Sequence, residues 1–344
     1  MWLSFNIICA MLAFQITGKL LGEIVEIAKP EPEVGEVRIK VAYVGICGSD
    51  LHYYFDGANG AFVVKEPLVP GHELSATVDF DPSGELMAGT KVTLHPATFG
   101  TCEPGLEDKR HLWPGGGYLG SASTNPHTQG AMSEFFIARK DALRVLPDAL
   151  ALEVAALAEP LGVALHAINI SGTVKDKDVL ISGSGPIGLM VIAASKILGA
   201  KSITATDVLD TALARAKELG ATDVVNVAKE KLLDNSFDVI FECSAAAPAI
   251  SAAMVAIRRA GVIVQVGMMG AKAQELVLAP LVAKEIQLRG TFRFNTEVDD
   301  AIKMLSDNAW IGKAITHTFK LDQVIEAFEV AKDSAKSGKV LVAL

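Results

Sequence analysis

The stretch VLISGSGPIGL, residues 179–189, limits the fold more than any other part of the chain. An apolar run leads into Gly183, Gly185 and Gly188 at G-x-G-x-x-G spacing, and a helical run then continues to Gly199. Alone, the spacing marks only a tight turn. Between a buried strand and a helix it marks the phosphate-binding turn of a doubly wound sheet. There the first glycine makes the turn, the second lets backbone approach a pyrophosphate, and the third lets helix pack on strand. The next short apolar run, SITATD, ends on Asp207. A carboxylate at that point accepts both hydroxyl hydrogens of an adenosine ribose and repels a 2′-phosphate. The following VLD offers no arginine to receive such a phosphate. The constellation predicts dinucleotide binding, with NAD preferred over NADP.

The texture around this turn predicts two domains of an α/β protein, as the length of 344 residues also suggests. Before about residue 150, GEVRIKVAYVGI alternates at period two over Val37, Ile39 and Val41. ELSATVDF, TKVTLHPA and SEFFIARKDALRVL follow between Gly, Pro and Asp breaks, which reads as an irregular, mostly antiparallel β domain. From LEVAALAEPLGVALHAINI onward, short apolar runs alternate with helical ones, the pattern of βαβ units and a parallel sheet. Within it AISAAMVAIRRAG reads as a helix, followed by the strand VIVQVG. The expected division is residues 1–154 for the first domain, 155–295 for the dinucleotide domain, and 296–344 returning to complete the first.

The formal net charge of −9 argues against nucleic-acid or acidic-membrane partners, which need clustered Lys and Arg. The four cysteines, Cys9, Cys47, Cys102 and Cys243, form no disulfide framework, so an intracellular, cytoplasmic setting is expected. The opening MWLSFNIICAMLAFQITGK lacks a basic leader and is too short to span a bilayer. Met11 is an alternative start, with MLAFQITG opening the first strand.

In the first domain, GICGSDLHYY supplies Cys47, Ser49, Asp50 and His52, and GHE supplies His72 and Glu73. At the expected domain junction, AEPL supplies Glu159. Each has an ordinary structural explanation alone: a buried thiol, a loop histidine, a solvated carboxylate. Together beside a dinucleotide fold they form a set suited to zinc, which takes thiolate, imidazole and carboxylate and in catalytic sites keeps one position open. Such a metal acidifies a bound alcohol so that hydride can leave carbon for a nicotinamide.

These segments, with GSGPIG, resemble the zinc-dependent medium-chain dehydrogenase/reductase superfamily in its polyol-dehydrogenase branch, over nearly the whole chain. The resemblance implies a GroES-like irregular β-barrel catalytic domain interrupted by a Rossmann domain. It implies zinc on Cys47 and His72, with Glu73 or Glu159 completing the ligands and the other behind a bound water. It makes Ser49 the hydroxyl that passes the alcohol proton outward, and His52 the next station, with Glu159 beside the reacting group. Pro186, Ile187, Val266, Gly267 and Phe292 join the three glycines and Asp207 as cofactor contacts. Tyr53, Arg293 and Phe294 face substrate or nicotinamide, and Phe294 stands where sorbitol-oxidising members carry tyrosine. Asp50 reads as a cap or turn residue. For Arg293 a substrate carboxylate and a nicotinamide or phosphate contact remain equal alternatives. The implied reaction is NAD-dependent oxidation of a secondary alcohol of a sugar acid or polyol. L-Idonate to 5-keto-D-gluconate leads, with sorbitol, xylitol or galactitol as alternatives and a non-catalytic dinucleotide-binding protein last. A homo-oligomer, dimer or tetramer, is implied, with KAQELVLAPLVAKEIQLRG as the strand-like segment to inspect.

One departure stands out. Members usually carry a second, structural zinc on four cysteines after the HP strand. Here those positions fall on Gly100, Glu103, Leu106 and Pro114, and Cys102 has no thiol partner nearby. One cysteine cannot close a tetrahedral thiolate site. No structural zinc is expected; a makeshift site of Cys102, Glu103, His111 and another group is the weaker alternative.

Overall fold

A computed structural model describes residues 10–270 and 272–344. The reading of the first nine residues lies outside the described part, while the strand expected from Met11 lies within β1 (Ala10–Gly18). That strand forms a hairpin with β2 (Leu21–Ala28). The first sheet is built from β3 (Glu36–Gly45), β4 (Glu73–Phe80), β5 (Lys91–Leu94), β6 (Phe135–Arg139) and β7 (Leu143–Val145), with the helix α1 (Gly48–Asp56) after β3. Val37, Ile39 and Val41 are buried on one face of β3, as the alternation requires.

Helix α2 (Ala158–Ser171) leads into the second sheet. Its strands are β8 (Asp178–Ser182), β9 (Ser202–Asp207), β10 (Asp223–Asn226), β11 (Phe237–Glu242), β12 (Ile257–Gln265) and β13 (Gln287–Gly290). All pair in parallel, in the order β10-β9-β8-β11-β12-β13. The order reverses at β8, which places the switch point beside the turn that follows it. Helices α3 (Pro186–Ile197), α4 (Asp210–Glu218) and α5 (Ala247–Ala256) connect these strands.

The expected helix AISAAMVAIRRAG stops at Ala256, and Ile257 already opens β12. Lys284 caps the end. Its Nζ donates to the carbonyls of Met254, Val255 and Ile257 at 3.2, 2.7 and 3.0 Å, satisfying acceptors that the helix end leaves open. KAQELVLAPLVAKEIQLRG is strand only at β13; a short helix, Ala279–Ala283, interrupts it.

The last fifty residues divide between the two halves. Helix α6 (Val298–Asp307) packs Ala301, Ile302 and Leu305 into the apolar core shared with α2 and the parallel sheet. Strand β14 (Ile315–Lys320) and strand β15 (Lys339–Ala343), joined by α7 (Val324–Lys332), pair into the first sheet, where β15 lies against β3. Its full order is β7-β5-β4-β3-β15-β14, with β6 also paired to β3. Among the described residues no helix is long and apolar enough to cross a membrane.

Candidate active site

Strand pairing assembles the site. Antiparallel β3 and β4 place Gly45 opposite Glu73, so Cys47 leaves one strand where His72 enters the other. A Cβ on Gly45 would stand 2.1 Å from Glu73 Oε2; glycine there leaves room for the carboxylate. Cys47 is the N-cap of α1, and Asp50 closes the cap by accepting the Cys47 amide at 2.9 Å. The other Asp50 oxygen accepts the Gly71 amide at 3.3 Å, tying the two loops together. Asp50 is thus the cap expected, and it joins the cysteine loop to the histidine loop.

Cys47 Sγ, a His72 ring nitrogen and a Glu73 oxygen lie within 4.8 Å of one another, the only such group of three among the described residues. His72 Nδ1 is buried without a hydrogen-bond partner and stands 4.0 Å from Asp50 Oδ1, too far to bond. Burial alone would lower the His72 pKa; Cys47 and Asp50, with Glu159, outweigh it and raise it to about 10. Burial pushes the carboxyls of Asp50 and Glu159 upward, His72 opposing it in both. Several anionic groups thus crowd one imidazole in a buried space, an excess of negative charge that a divalent cation would neutralise. The donor set fits zinc.

The two glutamates are held differently. Glu73, wholly buried, accepts from Lys339 Nζ at 2.7 and 2.6 Å, and the same ammonium donates to the Ile46 carbonyl at 3.0 Å. Lys339 opens β15 and is itself buried. Glu159, in the first turn of α2, stands outside the group of three and accepts from Tyr118 Oη at 2.5 Å. Neither Lys339 nor Tyr118 was singled out by sequence. A lysine heading an apolar strand normally keeps its charge in water, and Tyr118 sits in a glycine-rich stretch without a motif.

Ser49 lies half-buried at the start of α1, and His52 is exposed one turn on. The two are not hydrogen-bonded to each other; His52 Nδ1 pairs with Asp56 at 3.0 Å. Tyr53 and Phe294, expected to face substrate or nicotinamide, are both buried. The Tyr53 hydroxyl is buried against Ser121 Oγ (3.2 Å) and the Ala122 amide (3.0 Å). Phe294 packs in the core against the His95 ring and α2 at Gly162. Arg293 is different. Its backbone is left-handed (φ +51), its guanidinium lies 4.1 Å over the Tyr118 ring and 4.7 Å over Phe292, and it has no hydrogen-bonded acceptor among the described residues.

Across the sheet, Gly183 takes φ +93 in the turn after β8. A Cβ on Gly188 would meet the Gly183 carbonyl oxygen at 2.0 Å, whereas one on Gly185 would meet nothing within 4 Å. Pro186 occupies the first helical turn and Ile187 follows, both half-buried. Asp207 accepts the amides of Ser184 (2.9 Å) and Leu209 (3.0 Å), which aims its carboxylate along the glycine turn. Val266 and Gly267 follow β12 with their amides on the Glu242 carbonyl, and Phe292 is exposed.

The region after His95 holds itself together without thiolates. Trp113 Nε1 donates to the Leu106 carbonyl at 2.7 Å, and Arg110 lies over Phe99 at 4.1 Å and Trp113 at 5.8 Å. Cys102 is exposed, and it does not converge with Glu103 and His111, whose ring packs on His166.

Comparison with known proteins now decides the family. The family described as Zinc-binding dehydrogenase matches residues 186–307, and that described as Alcohol dehydrogenase GroES-like domain matches residues 33–148. The chain is a zinc-binding dehydrogenase. It is 36% identical over 310 residues to L-idonate 5-dehydrogenase (NAD(P)(+)) of Escherichia coli K12, covering 88% of this chain and 90% of that one. It is 34% identical to human sorbitol dehydrogenase, covering 88% and 87%. The crystal structure of the Escherichia coli L-idonate 5-dehydrogenase superposes with a TM-score of 0.92 at 32% identity, over 98% of this chain and 99% of that one. That of 2R,3R-butanediol dehydrogenase from Bacillus subtilis gives 0.86 at 28%, over 97% and 99%. In this dehydrogenase the first sheet is accordingly the GroES-like part and the parallel sheet the dinucleotide-binding part.

Proposed function

We propose that this dehydrogenase oxidises a secondary alcohol of a sugar acid, L-idonate to 5-keto-D-gluconate foremost, with NAD as hydride acceptor. The guanidinium of Arg293, held over two rings with no acceptor of its own, carries the sugar-acid reading. It stands over Tyr118, which bonds Glu159, so a substrate carboxylate received by Arg293 would set an alcohol carbon of the same chain near the ligand group. Cys47, His72 and Glu73 would hold one zinc, with Glu159, bonded to Tyr118, close by. Bound there, zinc would supply the Lewis acidity that lets the alcohol give up its proton at neutral pH. Ser49 Oγ would accept that proton while releasing its own, and the exposed His52 imidazole, paired with Asp56 one turn on, would take it up by way of solvent.

The preference for NAD rests on Asp207. It is fixed by two amides, and the Arg215 guanidinium on α4 is committed to the Ser334 carbonyl at 2.5 Å. The region of Cys102 holds no second zinc in this reading. An oligomer would form along the free edge of β13, where Val277, Val282 and Leu288 are exposed.

NADH formation from L-idonate and from sorbitol, each with NAD and with NADP, tests the proposal. Preference for L-idonate with NAD is expected, and Arg293→Gln should raise KM for L-idonate far more than for sorbitol. No turnover of L-idonate would sink the narrower assignment and leave the polyol reading, in which sorbitol, xylitol or galactitol is the substrate.

A further inference from the structure

Tyr118 touches more of this site than any other residue without a role. Its backbone pairs with Ala97 in a two-residue ladder, which brings the side chain in from the far end of the thiolate-poor region. Its hydroxyl meets Glu159, its ring stands edge-on to the His72 imidazole at 5.3 Å, and its face carries the Arg293 guanidinium. The phenol is buried, and its hydroxyl donates to the Glu159 carboxylate.

The two site carboxylates therefore have two tethers. Lys339 holds Glu73 within the ligand group, and Tyr118 holds Glu159 outside it. A buried carboxylate that loses its donor must find another partner, and the positive charges it would face are the metal and the unpaired Arg293 guanidinium. We propose that Tyr118 is a positioning residue whose hydroxyl keeps Glu159 off the metal, so that one coordination position stays open for the alcohol oxygen, while its ring carries Arg293. The inference rests on the proposed function and adds to it which residue keeps the site open.

Tyr118→Phe removes only the hydroxyl, and Tyr118→Leu removes the ring as well. In zinc-loaded enzyme, Tyr118→Phe should lower kcat with L-idonate or sorbitol about tenfold or more, the worth of one hydrogen bond to a charged group. KM for NAD should stay within about twofold, because the cofactor site is untouched. With cobalt(II) alone as the probe, the visible d–d spectrum of Tyr118→Phe should change, with loss of its response to added alcohol, as Glu159 takes the open position in place of solvent. Tyr118→Leu should show the same loss and in addition raise KM for L-idonate. Thermal unfolding of Tyr118→Phe close to that of the unsubstituted protein excludes a folding defect. Unchanged kcat and an unchanged cobalt spectrum in Tyr118→Phe would overturn the proposal, as would losses confined to Tyr118→Leu. If the unsubstituted protein binds no cobalt and oxidises neither alcohol, the functional reading fails and this one with it. If it does both and Tyr118→Phe does not differ, only the role of the hydroxyl falls.

Discussion

Lys339 is the residue on which the buried charge balance of the site turns. Both oxygens of Glu73 accept from it in a space closed to water. Replacing it with methionine keeps volume but leaves a buried carboxylate unpaired, a change that costs about 3–5 kcal/mol in comparable pairs. Urea unfolding of Lys339→Met should show a loss of that order, and Lys339→Arg a smaller one. A second residue makes stability depend on pH. His95 Nε2 donates to the Asn295 carbonyl at 2.9 Å and Nδ1 accepts the Ala97 amide at 3.2 Å, so both ring nitrogens are engaged in the neutral form. Burial lowers its pKa from 6.5 to about 4. Between those values the unfolded chain binds the extra proton, so the contribution of His95 is complete above pH 6.5 and lost as pH falls to about 4. Urea midpoints measured at pH 7 and pH 5 should differ less in His95→Gln than in the unsubstituted protein. At this scale Cys47, His72, Glu73 and Glu159 were legible because each sits in a short motif of ligand-type residues. Lys339 and Tyr118 were not, because their partners come from distant strands and only the folded sheet brings them together.

Among elements, the glycine turn makes the sharpest distinction between folding and binding. Gly188 is pressed against the Gly183 carbonyl, whereas Gly185 is open and has a negative φ. Gly188→Ala should therefore destabilise the dinucleotide-binding half, seen as a lower thermal midpoint. Gly185→Ala should leave the midpoint nearly unchanged and weaken NADH binding, read by fluorescence titration, because only the approach of the pyrophosphate is obstructed. Equal losses of stability in both variants would contradict this division. Strand and helix periodicity made most of the parallel sheet readable in advance. It failed at the end of α5, where a continuous apolar pattern gave no hint that Lys284, beyond the next strand, would cap the helix at Ala256. Tyr53 and Phe294 likewise carried a family pattern, but their local packing was invisible to it.

For the whole molecule, the segment around residues 292–299 links the parts that must act together. Asn295 donates through Nδ2 to the Asp108 carbonyl and through its own carbonyl receives His95, and Glu297 pairs with His166 on α2 at 2.8 Å. Arg144 reaches Asp299 at 2.7 Å. These contacts fasten the thiolate-poor region and the GroES-like sheet to the helix that carries Glu159. The central claim is that one zinc sits on Cys47, His72 and Glu73 and none sits near Cys102. Metal analysis of protein purified without chelator tests it most directly. About one zinc per chain, falling to near zero in His72→Ala, is the predicted result; two zincs per chain, or none, would contradict it.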